Sequence, residues 1–175
     1  MRMITSADQR PDLAIAIGRF SQASASLERA IQSAIIRLLP LTDDMGLAIL
    51  CENTMRANLE ILTRLLKLPE VPVPESWKAS LLDLIPQVKA SSEDRNRLMH
   101  NVILEGETGL IATIEKKGNR SYMPISVETI ICWVEEAGDL AALFGSVPHC
   151  EYDLSKWEKS WPAYEPKDWP KRPGK

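Results

Sequence analysis

Apolar positions recur through the N-terminal part of the chain at steps of four and three: Leu13, Ile17, Phe20, Ser24, Leu27, Ile31, Ala34 and Leu38. That spacing draws a single seam along one helix running to Leu39, which at ~1.5 Å per residue is ~40 Å long. Ser6 followed by Gln9 has capping-box form, Pro11 suits a first helical turn, and Pro40 stops the helix. The small residues Ala23-Ser24-Ala25-Ser26 admit a close neighbour, either a second helix of the chain or its copy in a dimer.

A second helix is predicted from a cap at Thr42 or Asp43 to about Leu68. Its apolar face uses Leu47, Leu50, Cys51, Leu59, Ile61, Leu62, Leu65 and Leu66, and its outer face carries Glu52, Arg56, Glu60 and Arg64 at four-residue spacing, a salt-laced solvated surface. Thr54 and Asn58 interrupt the apolar stripe and are read as a satisfied core hydrogen bond. Pro69, Pro72 and Pro74 form a stiff connector, after which a third helix opens at Glu75 or Ser76 with Trp77, Leu81, Leu84 and Val88 as its seam. Pro86 removes one amide donor and should kink or restart this helix. Two readings follow. If the phase survives, the seam continues through Ser91, Arg95, Leu98 and Val102, placing Arg95 in the buried stripe; if not, Ser91 and Asp94 form a capping box for a new helix.

After Leu104 the periodicity changes. Leu110–Glu115 and Ser121–Ser126 flank the turn-rich Lys116-Lys117-Gly118-Asn119-Arg120, which predicts a small β-hairpin over about 108–126 with a basic tip. Ser126 then caps a further helix with Val127, Ile130, Val134, Ala137, Ala141 and Phe144 as its seam, closed by Gly145. The expected fold is therefore mainly α, an antiparallel bundle of four to five helices over residues 1–145 with the hairpin inserted after the helix that carries residues 95–100. Residues 146–175, which hold three of the five tryptophans, are expected to form an extended arm packed on the bundle, with binding of a partner as the sharper reading.

Composition narrows the function classes. A hydrophobic share of 45% and a charged share of 26% are those of an ordinary globular protein. A net charge of -3 argues against a long grip on a duplex through many phosphates, so any nucleic-acid contact is local. Cys51, Cys132 and Cys150 lack CxxC spacing and are expected as free buried thiols; His149-Cys150-Glu151 has no partner set for a metal. Glycine-rich phosphate loops and a Gly-x-Ser-x-Gly elbow are absent, so no cofactor is expected. Without a signal-like apolar core or a membrane span, the expected location is cytoplasmic.

The chemistry concentrates in Glu93-Asp94-Arg95-Asn96-Arg97-Leu98-Met99-His100-Asn101. Asn96 and His100 are one turn apart on one helical face, whereas Arg95 and His100 lie about 140° apart around the axis. Such a pair does not meet tip to tip on one helix, but it can flank a groove shared with a second copy. Histidine titrates in the range useful for proton transfer, and arginine offers a permanently charged planar fork of donors for phosphate oxygens.

The run Arg95-Asn96-Arg97-Leu98-Met99-His100 resembles the Arg-Asn-x-x-x-His form of the arginine–histidine motif of HEPN domains, all-helical modules that in many members are metal-independent ribonucleases. The resemblance spans roughly residues 8 to 145. It implies a homodimer in which two motifs converge on one cleft, with His100 as proton-transfer residue, Arg95 as phosphate stabiliser and Asn96 orienting them. It further implies RNA as substrate, a 2′,3′-cyclic phosphate product, and a toxin-like or phage-defence role with an antitoxin or regulatory partner. Arg97, Lys116, Lys117 and Arg120 are weaker candidates for RNA contact. Members paired with a minimal nucleotidyltransferase antitoxin commonly carry tyrosine two residues after the histidine; Val102 stands there, which argues against that pairing. The alternative is a non-catalytic HEPN-like dimerisation or ligand-binding module.

Overall fold

The computed structural model describes residues 2–3, 10–100, 103–106, 109–116, 119–147 and 150, with backbone only at 2–3, 106, 109, 113–116 and 119–121. The capping box at Ser6 and Gln9, Lys117, His149 and the arm beyond Cys150 lie outside the described residues. The chain is mainly helical with a small antiparallel sheet. In order, it forms β1 (Arg2–Met3), α1 (Pro11–Arg37), α2 (Asp43–Leu50), α3 (Met55–Leu66), α4 (Glu75–His100), β2 (Ile103–Gly106), β3 (Gly109–Lys116), β4 (Asn119–Ile125) and α5 (Val127–Gly145).

The seam of α1 is buried as its spacing predicts, through Leu13, Phe20, Ser24, Leu27, Ile31 and Ala34. The helix starts at Pro11 with Arg10 as N-cap, and no side chain caps it. Asp12 in the first turn supplies the negative charge that the exposed N–H groups favour.

The predicted second helix is two helices. Cys51 N bonds to Leu47 O and Asn53 N to Leu50 O, closing α2, while Thr54 turns to extended backbone and its hydroxyl accepts from Ala57 N at 3.2 Å to open α3. Thr54 thus interrupts the stripe because it is an N-cap. Asn58, one turn on, is fully buried, and neither Nδ2 nor Oδ1 has a partner among the described residues. The break rotates α2 onto a different face: it buries only Gly46 and Leu50, leaving Leu47 and Cys51 exposed. At Gly46 a Cβ would run into Cγ1 of Ile36 on α1, so only glycine permits this approach.

Helix α4 passes through Pro86 without a break, and the capping box at Ser91 and Asp94 does not form. Its buried line is Lys78, Leu81, Ile85, Val88, Ser91 and Leu98, so Trp77 and Leu84 are not its seam. Lys78 takes the expected place of Trp77 because its ammonium is satisfied there, donating to Leu68 O and to Glu75 Oε1, both at 2.9 Å. Arg95 does not fill the stripe. The turn between Ser91 and Leu98 is filled by half-buried Asp94, and Arg95 is exposed.

The chain then leaves helix earlier than the apolar spacing suggests. Ile103–Gly106 is a strand, and the sheet order is β1-β2-β3-β4 with all neighbours antiparallel. The hairpin falls where it is predicted, with Leu110 opposite Ile125 and Ala112 opposite Met123. Alternation puts Leu110 and Ala112 on the same, buried face of β3.

Contacts fix the helix directions. Ile36 meets Gly46 and Gln32 Nε2 donates to Leu50 O, so α2 runs back along α1. Arg10 and Asp12 meet Ser126 and Glu128 around one hollow, Phe20 stacks on Trp133 with ring centroids 5.7 Å apart, and Arg37 reaches Gly145 O. Helices α1 and α5 therefore run parallel, an arrangement made possible because the sheet returns the chain to the end where α1 begins. Both sides of this pair are core, with Phe20, Ile31, Ile130 and Phe144 wholly buried.

Candidate functional site

Leu98, 4% exposed, anchors the last turns of α4 in the core. At ~100° per residue, Asn96 and His100 then both project within about 20° of the direction opposite Leu98, whereas Arg95 lies about 60° from the direction of Leu98 itself. Arg95, Asn96 and His100 are all exposed. Neither Arg95 nor His100 has a hydrogen bond or ion pair among the described residues. Asn96 also lines a groove of about 420 Å³ between α3 and α4, together with Lys89 and Glu93 of α4 and Met55 and Glu60 of α3. One chain therefore presents the three motif residues to solvent, with Arg95 and His100 on different sides of the helix.

Arg97 is differently placed. Its guanidinium donates to Asp94 Oδ1 at 2.9 Å and Glu93 Oε2 at 3.3 Å. Burial pushes the Asp94 carboxyl above its usual range while the neighbouring Arg97 pulls it down. The guanidinium is thus held by two carboxylates of its own helix, which leaves it less suited to phosphate than Arg95. Lys116 ends β3 opposite Asn119, and Arg120 sits in β4 opposite Glu115; their side chains and Lys117 are outside the described residues.

A second charged cluster was not legible in the sequence. Arg10 forms a two-pronged bond to Asp12, Nε to Oδ1 at 3.0 Å and Nη2 to Oδ2 at 2.8 Å, while Nη1 donates to Glu105 Oε1 of β2 at 3.1 Å. Its hydrogen bonds to Asp12 hold that carboxyl down at about 2. Glu128, at the start of α5, is lowered by its own backbone N–H and by the Ser126 hydroxyl. With Leu110 and Pro124, the residues Arg10, Asp12, Ser126 and Glu128 line a hollow of about 650 Å³. Arg10 is satisfied by Asp12 and Glu105 and so latches the start of α1 to β2. A sequence signal existed only in Asp12 at the first turn after Pro11.

The cysteines correct one expectation. All three are free, but Cys51 and Cys132 are exposed and only Cys150 is half-buried, its thiol pushed up by burial. Among the described residues no three His, Cys, Asp or Glu side chains converge as metal ligands, and no helix is long and apolar enough to cross a membrane. Comparison with family models, curated proteins and solved structures finds no match to this chain.

Proposed function

We propose that this chain is a metal-independent HEPN-like endoribonuclease whose helices form a bundle, with α1 and α5 parallel rather than antiparallel as the sequence suggests, and whose site is completed by a second copy across the motif face of α4. The observation that carries the reading is the availability of Arg95 and His100. A structural arginine and histidine at a helix interface are buried and hydrogen-bonded, whereas these two are exposed and unpaired among the described residues. Two-fold symmetry supplies what one helix lacks, since it sets His100 of each copy across a shared cleft.

In that cleft one imidazole accepts the proton of a ribose 2′-hydroxyl as the 2′-oxygen attacks phosphorus, and the other donates a proton to the departing 5′-oxygen. Arg95 stabilises the charge on the non-bridging oxygens, and Asn96 orients the groups. The phosphorus–oxygen bond made and the one broken leave a 2′,3′-cyclic phosphate and a 5′-hydroxyl. RNA is the substrate class, and an antitoxin or regulatory protein is the expected partner. The test is incubation of purified protein with structured cellular RNA in EDTA, with product ends and protein mass read together. Cyclic phosphate ends from a dimer support the reading, and cleavage that requires a metal opposes it.

One observation favours the second reading, a non-catalytic dimerisation or ligand-binding module. Glu93 and Asp94 stand beside the motif and neutralise Arg97, so the surface around Arg95 is not a basic track.

A further inference from the structure

The groove between α3 and α4 leads to His100. Lys78, near the start of α4, bonds Leu68 O just beyond α3, and Met55 at the start of α3 shares the groove with Asn96, so α4 runs back along α3. At ~100° per residue, Lys89, Glu93, Asn96 and His100 fall within a sector of about 60° around α4, and His100 stands ~6 Å beyond Asn96 along the axis. Arg95 lies outside that sector. Lys89, Glu93 and Asn96 line the groove, and the same helix face carries it on to the imidazole.

The floor of the groove is apolar and its α4 wall is polar. Leu59 is buried and Met55 half-buried, a surface on which a flat ring can lie, and thioether sulfur packs favourably against aromatic rings. Lys89 and Glu93, one turn apart, are neighbours on the wall. Lys89 has no hydrogen bond or ion pair among the described residues, and Glu93 meets Arg97 through Oε2 alone, at 3.3 Å. Glu60, the other carboxylate of the groove, is held by Arg56 Nε at 3.1 Å. An ammonium and a carboxylate oxygen are thus on offer side by side.

Guanine is the base whose edge matches them. Its N1–H and N2–H groups donate to a carboxylate, while O6 and N7 accept from an ammonium. Uracil keeps one donor and one acceptor of that set. Adenine and cytosine present an amino group and a bare ring nitrogen in the reverse order, which sets donor against donor and acceptor against acceptor. The volume of about 420 Å³ falls within the ~300–1,000 Å³ of small-ligand sites.

We infer, taking the class of ligand from the nuclease reading, that the groove between α3 and α4 is a guanine subsite holding the nucleotide 5′ of the scissile phosphate. The base lies on Met55 and Leu59, Glu93 and Lys89 read its edge, and its 2′-hydroxyl and 3′-phosphate extend past Asn96 to His100.

The test uses the full chain and guanosine 3′-monophosphate, which carries the phosphate where a product would and is not cut. Titration calorimetry compares it with adenosine 3′-monophosphate in wild type, Glu93→Gln and Ser92→Phe. Wild type should prefer the guanosine nucleotide by at least about tenfold. Glu93→Gln should collapse that ratio toward one, whereas a loss of fold would weaken both nucleotides together. Ser92→Phe places a ring in the groove without changing its charges and should abolish binding of both. Equal affinities in wild type, a ratio that survives Glu93→Gln, or binding that survives Ser92→Phe overturns the subsite. Mapping the cut sites separates it from the nuclease reading. Guanine-selective binding by a chain that cuts no RNA keeps the subsite and removes the nuclease, whereas chelator-resistant cleavage with no excess of guanosine 5′ of the cuts removes the subsite alone.

Discussion

Asn58→Leu should stabilise the fold. Asn58 is 0% exposed, and its amide nitrogen and oxygen both lack partners among the described residues. A buried polar group left without a hydrogen bond costs about 1–3 kcal/mol, a cost that an apolar side chain of similar size removes. Leucine has the same branched heavy-atom skeleton as asparagine and continues the buried row of Leu59, Leu62 and Leu66, although its methyl groups are bulkier than the amide and must find room and a rotamer, which limits the gain. The expected net effect is a rise in unfolding free energy of about 1 kcal/mol, the low end of that range, seen in urea as a higher midpoint at unchanged slope. For a chain of this size each kcal/mol moves the thermal midpoint by about 2–4 °C. Asn58→Asp is the control, because burying a carboxylate there should be strongly destabilising. A lower urea midpoint for the leucine variant would refute the reasoning.

Three further outcomes are expected. Gly46→Ala should cost about 1–3 kcal/mol by overpacking, because the new Cβ meets Ile36; equilibrium unfolding measures it. Arg37→Ala should cost about 1–3 kcal/mol through loss of charge-assisted bonds to carbonyls, and amide exchange should accelerate at Cys150, whose N–H bonds to Arg37 O. The Asp12 carboxyl is held at about 2 against an ordinary 3.8. A lowered folded-state value means that its contribution is complete above the ordinary value and is lost as pH falls through it toward about 2, so Asp12→Asn should flatten the acid limb of a stability–pH curve in that window and leave its slope at neutral pH unchanged.

The strongest periodic signals were legible in the sequence. The α1 seam, the hairpin around residues 117–118 and the cap at Ser126 are local patterns, and each stands where it was read. The split between α2 and α3 was hidden because leucines and charges continue at helical spacing through it, and Thr54 looks like a flaw in a stripe until its hydroxyl is seen to cap Ala57 N. Strand β1 escaped notice because its pairing is non-local, Arg2 lying opposite Glu105, and β2, although it pairs locally with β3, is too short to show alternation of its own. At the candidate site the spacing of Arg95, Asn96 and His100 was visible, but exposure was not. Lys78 and Asp94 take places that a hydropathy seam assigns elsewhere, since their neighbours satisfy the charge.

The central claim is tested most directly by RNA cleavage in EDTA with wild type, His100→Ala and Arg95→Ala, each with its dimer mass and urea midpoint measured in parallel. Both residues are exposed, so each variant should keep its mass and remain within about 0.5 kcal/mol of wild-type stability while losing chelator-resistant cleavage. A wild-type dimer that cuts no RNA, or variants that cut at the wild-type rate, would contradict the account.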